Sequence, residues 1–198
     1  MEQEVNENKY HNGYHHENLK QELLLAGLKI IDENGINNLS LRKAAAMCGV
    51  SHAAPKSHFQ NKEEFEQAIK NHVTEKFTEY LKEVIEQNTE RKYLIRDMGR
   101  AFVRFFHDYP QSFSLIVNQK EIDIKLSKTD IKQSNYAPFQ IFVEQASVVL
   151  QERGMSKEQI PEKILELWAL VTGLAGISVM RGFHYEGDWM EMVNRIIN

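Results

Sequence analysis

The chain has 198 residues, a formal net charge of −4 and 42% hydrophobic residues. That length and apolar content can bury a substantial core, in one domain or two small ones, and they exclude disorder for most of the chain. The single cysteine, Cys48, excludes an internal disulfide and a cysteine-rich zinc site.

No charged-then-apolar leader opens the sequence, so the cytoplasm is the expected compartment. The longest apolar run, 167–180, contains Thr172 and Ser178 and falls short of the roughly 20 residues a bilayer needs, so it is read as a buried helix and no membrane span is expected. Apolar residues recur at spacings of three and four, and only four prolines and ten glycines interrupt them. An all-α chain with no strand pair is therefore expected.

Residues 1–16, rich in Asn, Glu and His, read as a disordered arm. His15 and His16 are adjacent and cannot close a metal site by themselves, so no metal is assigned. A first helix is expected over 17–34, burying Leu19, Leu23, Ala26, Leu28, Ile30 and Ile31 and stopping at Gly35.

Two short helices follow, at 40–47 and 51–59. Ser40 is an N-cap type, Ala44, Ala45 and Ala46 are strong helix formers, and Gly49 supplies the positive φ that ends the first helix. Ser51 caps the second. Its first turn, His52, Ala53 and Ala54, is small enough to approach a groove edge, while Lys56, Ser57 and His58 offer donors to phosphate. Two short helices joined by a Gly turn form the pattern of a helix-turn-helix DNA reader.

Charge agrees with this assignment. Between residues 36 and 62 there is no Asp or Glu, while Arg42, Lys43, Lys56 and Lys62 are basic. An acidic chain with one cationic segment suits local phosphate binding; a solvated basic hairpin is the bland alternative.

Asn61-Lys-Glu-Glu64 resembles a capping box and opens a long helix through Ile85, spanning about 40 Å. The domain boundary is expected inside this helix, with a head over 17–73 and a body over 74–198. In the body, helices are expected at 92–109, ended by Pro110, and onward to 118. Residues 120–135 read as a linker or a weak helix. Further helices are expected at 136–153, ended by Gly154, from 156–161 to 181 before Gly182, and at 188–197 with Asp188 as cap.

The order Asn34-Gly35, Leu39-Ser40, Ala45-Ala46, Cys48-Gly49-Val50-Ser51, His58-Phe59 and Lys62-Glu63 resembles the DNA-binding head of the tetracycline-repressor (TetR) family of bacterial transcription regulators. Trp168-Ala-Leu-Val-Thr-Gly173 is similar to the Trp-His-Gly (WHG) signature of one C-terminal subfamily, with Thr172 where that subfamily usually has His. Lys56 stands where the family commonly has Tyr, and lysine keeps a phosphate contact as a point charge.

The resemblance implies that Ser40, Ser51, His52, Ala53, Lys56, Ser57, His58 and Lys62 lie at or near double-stranded DNA, to which the charge pattern adds Lys43. Ser40, Lys56, Ser57 and Lys62 are expected on the backbone, and His52 and Ala53 at base edges or a thymine methyl. His58 either joins them or satisfies a local hydrogen bond. The resemblance further implies a homodimeric regulator, typically a repressor on an inverted-repeat operator, whose ligand-bound form releases DNA.

Phe102, Phe105, Phe106 and Tyr109 share one face of a helix, and Phe139, Phe142, Val143 and Ala146 repeat the pattern. These stripes are either solid core or, with Phe113, Ile116, Trp168 and Thr172, the lining of a cavity for a small apolar effector. The helix over 165–180 is apolar on nearly all sides. Ala169, Gly173, Gly176, Ile177 and Met180 are expected to meet a second copy across a two-fold axis; the alternative is a helix internal to a larger monomer core.

Enzyme ingredients are missing: there is no Gly-rich phosphate loop, His-Glu-x-x-His or nucleophile elbow, and no cofactor is implied. Glu63, Glu64, Glu121 and Asp123 read as solvated carboxylates. The competing function is a helical interaction or ligand-binding protein that has lost operator binding.

Overall fold

A computed structural model describes residues 12–117, 122–125 and 133–197. In chain order the helices are α1 (Asn12–Asn34), α2 (Leu41–Met47), α3 (Lys62–Gln87), α4 (Leu94–Asp108), α5 (Pro110–Val117), α6 (Ala137–Glu152), α7 (Ile160–Ser178) and α8 (Trp189–Ile196). The architecture is all-α, as expected. Residues through His72 form one compact unit and those from Val73 a second.

In the first unit α1 opens five residues earlier than expected, at Asn12, and takes in the sequence Asn-Gly-Tyr-His-His. The remainder of the proposed arm lies outside the described residues. The buried face of α1 is Leu23, Leu24, Ala26, Ile30 and Ile31. Leu24 takes a place assigned to Leu28, which is half-buried along with Leu19. Gly27 lets α1 approach closely, since a side chain there would collide with Phe65 and Ile69.

Two of the expected glycine stops are Schellman motifs. At the end of α2, Gly49 has φ +69°, its N–H bonds the carbonyl of Ala46 at 3.2 Å, and Val50 N–H bonds that of Ala45 at 3.0 Å. At the end of α6, Gly154 has φ +84°, with Gly154 N–H on Gln151 and Met155 N–H on Leu150 at 2.9 and 3.0 Å.

Helix α4 is the axis of the second unit and packs on α5, α6, α7 and α8. Its buried residues include Met98, Ala101, Phe102, Val103, Phe105 and Phe106. At Gly99 the absent side chain makes room for Ile197, beyond α8, and for Val171 of α7. Phe77 meets three rings of α4, with centroids 5.3 Å from Phe102, 4.8 Å from Phe105 and 5.1 Å from Phe106.

Two segments of the second unit also depart from expectation. The segment read as a linker or weak helix, in a chain expected to have no strand pair, contains β1 (Ile124–Lys125) paired antiparallel with β2 (Gln133–Ser134), which corrects that expectation. Ile122 and Ile124 alternate with Asp123 and Lys125, a period of two, and Asn135 Oδ1 accepts from Asp123 N–H at 2.8 Å to hold the ends together. Helix α7 stops at Ser178, short of Arg181. There i→i−3 bonds replace the α ladder, Met180 N–H to Ile177 and Phe183 N–H to Met180, while Ser178 Oγ donates to the Ala175 carbonyl.

Candidate DNA-reading surface and effector cavity

Ser40 occupies the N-cap position of α2 with extended backbone (φ −153°, ψ 127°), yet its hydroxyl caps no amide. Its carbonyl accepts from Ala44 N–H at 3.0 Å. The expected helix over 51–59 is replaced by a 3-10 turn over Ala54–Ser57. Pro55 has no N–H to give to the Ser51 carbonyl, so Ala54 N–H takes that acceptor instead at 3.0 Å, and Lys56 N–H bonds Ala53 at 3.1 Å in the same tighter pattern.

Pro55 and Phe59 are the buried side of this turn, Phe59 lying 4.9 Å from the ring of Phe65. Ser51, His52, Ala53, Lys56 and Ser57 are exposed, as is Lys43 on α2. Ser57 Oγ donates to the Ala54 carbonyl at 2.8 Å, so its proton is already engaged within the turn. His58 is half-buried, 6.3 Å from the Phe59 ring. Lys62 Nζ donates to the Asn37 carbonyl at 3.2 Å and ties the start of α3 to the loop before α2. Asn61 Oδ1 accepts from Glu64 N–H at 2.8 Å while Glu64 reaches back to Gln60 N–H at 2.7 Å, a capping box shifted by one residue.

The second unit contains a cavity of about 280 Å³. Its walls are Phe102 and Phe106 of α4, Ile116 and Val117 of α5, Ile122 and Ile124 around β1, Tyr136 at the head of α6, and Trp168 and Thr172 of α7. Of the residues proposed from sequence, Phe102, Phe106, Ile116, Trp168 and Thr172 meet there. Phe105 and Tyr109 do not: Phe105 faces Phe77 and Tyr80 at 4.8 and 6.0 Å, and Tyr109 is 53% exposed. Phe113 is turned to Phe106 and Gly176. Phe139 and Phe142 form the layer behind, 4.8 and 5.7 Å from Trp168.

Val117, Ile122, Ile124 and Tyr136 were missed. The alternation Ile122-Asp-Ile124-Lys carried a strand signal that the helical reading passed over. Tyr136 is 4% exposed, and burial pushes its hydroxyl far above the usual tyrosine range, so it is a neutral donor.

Along α7, Leu165, Ala169, Gly173 and Ile177, followed by Met180, form an outward row; Leu165 and Met180 are 55% and 58% exposed. A side chain at Gly173 would meet nothing within 4 Å. Gly176 is different, because a Cβ there would lie 3.1 Å from Phe113 Cζ. It faces α5 rather than the open side, which corrects its assignment to an intermolecular face. Among the described residues no helix is long and apolar enough to cross a membrane, and no three His, Cys, Asp or Glu side chains come together to hold a metal ion.

Residues 95–198 match the family model described as tetracyclin repressor-like, C-terminal domain. No curated protein matches the chain. Among solved structures, a protein of unknown function from Rhodococcus sp. RHA1 is similar with a TM-score of 0.75 and 22% identity, covering 96% of this chain and 95% of that one. The fatty acid degradation regulator FadR from Bacillus halodurans is similar with a TM-score of 0.63 and 14% identity over 89% and 91%. A TetR variant from Acinetobacter baumannii AYE in complex with minocycline gives 0.57 and 18% over 88% and 89%. These likenesses show a shared fold. With a family match over more than half of its 198 residues, the chain belongs to the TetR family of transcription regulators.

Proposed function

We propose that this regulator is a ligand-responsive repressor that acts in the cytoplasm as a homodimer on an inverted-repeat operator in double-stranded DNA. The observation that carries the reading is the exposed side of the helix-turn-helix. Lys43, Ser51, His52, Ala53 and Lys56 are all solvent-facing, in a stretch from 36 to 62 that contains no acidic residue. Lys43 and Lys56 meet phosphates, and His52 and Ala53 meet base edges. Ser40, Ser57, His58 and Lys62 support the surface from behind or at its rim, because each is half-buried or already bonded locally.

Pairing of two copies through the outward row of α7 accounts for large apolar side chains left in solvent, and a two-fold axis sets the two heads on successive major-groove faces. A small apolar effector occupies the cavity of the body. To release DNA it must bind one arrangement of the dimer more tightly than the other, since equal affinity for both shifts nothing.

A gel shift with the DNA upstream of the protein's own gene, repeated with candidate compounds, tests the reading. A shift that requires an inverted repeat and is reversed by a compound is expected. No shift on any duplex at low salt returns the chain to a helical ligand-binding protein without an operator.

A further inference from the structure

One face of α3 and one face of α4 stand opposite each other across a groove of about 270 Å³ that shares no wall residue with the body cavity. From α4 come Asp97, Arg100, Ala101 and Arg104, spaced i, i+3, i+4 and i+7. Tyr80, Val84 and Gln87 answer from α3 at i, i+4 and i+7, with Asn88 just beyond its end. The floor is apolar, since Ala101 is buried and Tyr80 and Val84 are half-buried. Two guanidiniums one turn apart stand over it.

Their charge is not spent on their neighbours. Arg100 is half-buried and forms no hydrogen bond or ion pair among the described residues. Arg104 Nε lies 3.6 Å from Asp108, too far for a hydrogen bond. The carboxylate within the groove, Asp97, is already taken: Oδ1 accepts from Arg96 Nε and Nη2 at 3.0 and 2.9 Å, and Oδ2 accepts from Asn88 Nδ2 at 3.0 Å. Asp188 spends Oδ1 on the amides of Met190 and Glu191 and bonds neither guanidinium. Its carboxyl, held down first by those amides, is lowered further by Arg100 and then Arg104, so the pair already favours negative charge at this place. A guanidinium partly withdrawn from water gains most from an anion that bonds it directly.

We propose that this groove binds an amphipathic carboxylate, its charged end on Arg100 and Arg104 and its aryl or alkyl part on Tyr80, Val84 and Ala101. The planar fork of Arg100 matches the two oxygens of a carboxylate, and the Gln87 side-chain amide offers a further donor. One negative charge answers the one guanidinium that has no counter-ion. The site is separate from the apolar effector cavity and does not depend on it.

The test is titration calorimetry of the full chain at pH 7 with 3-phenylpropionate, with its neutral amide, and with acetate, which keeps the charge and lacks the ring. 3-Phenylpropionate should bind about tenfold tighter than either, and its affinity should fall as salt is added. Arg100→Gln should weaken it about tenfold, and Arg100→Lys less, because lysine keeps the charge without the fork. Both variants should melt like the wild type, since Arg100 holds no internal hydrogen bond.

Equal binding of the acid and its amide would overturn recognition of the charge. Acetate binding as tightly as 3-phenylpropionate would overturn the role of the apolar floor. Undiminished binding by a folded Arg100→Gln variant would put the ligand elsewhere, the body cavity included, and would overturn the site. Failure of all three probes at millimolar concentration would overturn it as well, and would leave the effector cavity to its own test.

Discussion

Phe113 of α5 packs against Gly176 of α7: the ring carbon Cζ lies 3.1 Å from where a side chain on Gly176 would begin. One turn earlier, Gly173 has open space on the same helix. A carboxylate at Gly176 would be driven into the α5 contact, so Gly176→Glu should lower the melting temperature sharply. Gly173→Glu should leave the monomer folded but stop self-association, because a charge buried unpaired between two copies costs several kcal/mol. Sedimentation and melting of both variants check the pair. A monomeric wild type at micromolar concentration would remove the dimer.

On the DNA side, Lys56→Ala should weaken binding to every duplex and reduce the slope of log affinity against log salt by about one, because one phosphate contact and its counterion are lost. His52→Ala should alter sequence preference, with cognate and scrambled duplexes drawing closer in affinity by roughly 1–3 kcal/mol. Fluorescence anisotropy across a salt series separates the two effects. Identical behaviour of both variants and wild type would show that the 3-10 turn is not the reader.

Phe106 is both cavity wall and core. It is fully buried, with ring centroids 5.0 Å from Phe102 and 5.4 Å from Phe113. Phe106→Ala should therefore cost about 3–5 kcal/mol and impair all functions together. Val117 lines the same cavity but is 48% exposed. Val117→Ala should change ligand response at little cost in stability, a contrast visible in chemical denaturation paired with ligand titration.

Asp188 caps α8, its Oδ1 accepting from Met190 N–H at 2.7 Å and Glu191 N–H at 2.9 Å. The backbone amide of Glu191, then that of Met190, holds the carboxyl below its usual range. A depressed folded value means that the stabilisation is complete above the unfolded carboxylate pKa and is lost as pH falls through the folded one. Asp188→Ala should lower the melting temperature at pH 7 and have less effect in acid, while Asp188→Asn, which keeps an acceptor, should recover part of the loss. A pH series of thermal melts checks the order.

What the sequence by itself determined was local. Gly49 and Gly154 end helices because a glycine reaches positive φ without strain, Pro110 separates α4 from α5, and Asp188 and Asn61 announce their helices through side chains that need only the next turn. The acid-free stretch from 36 to 62 is likewise a property of neighbours in the chain. The turn at Ala54–Ser57 was also a local matter, legible in Pro55, though the pattern of flanking helix formers outweighed it.

Only the tertiary structure decided which faces of the apolar helices meet. Ala169, Gly173 and Gly176 are equally small, yet rotation about the axis of α7 turns Gly176 to Phe113 and leaves the other two outside. The cavity depends on the same kind of meeting. Tyr136 joins Thr172 there although 36 positions separate them, because α6, α7 and the β1 segment converge over α4. Periodicity shows that a helix has an apolar side; what covers that side depends on packing among segments distant in sequence, and no local spacing encodes it.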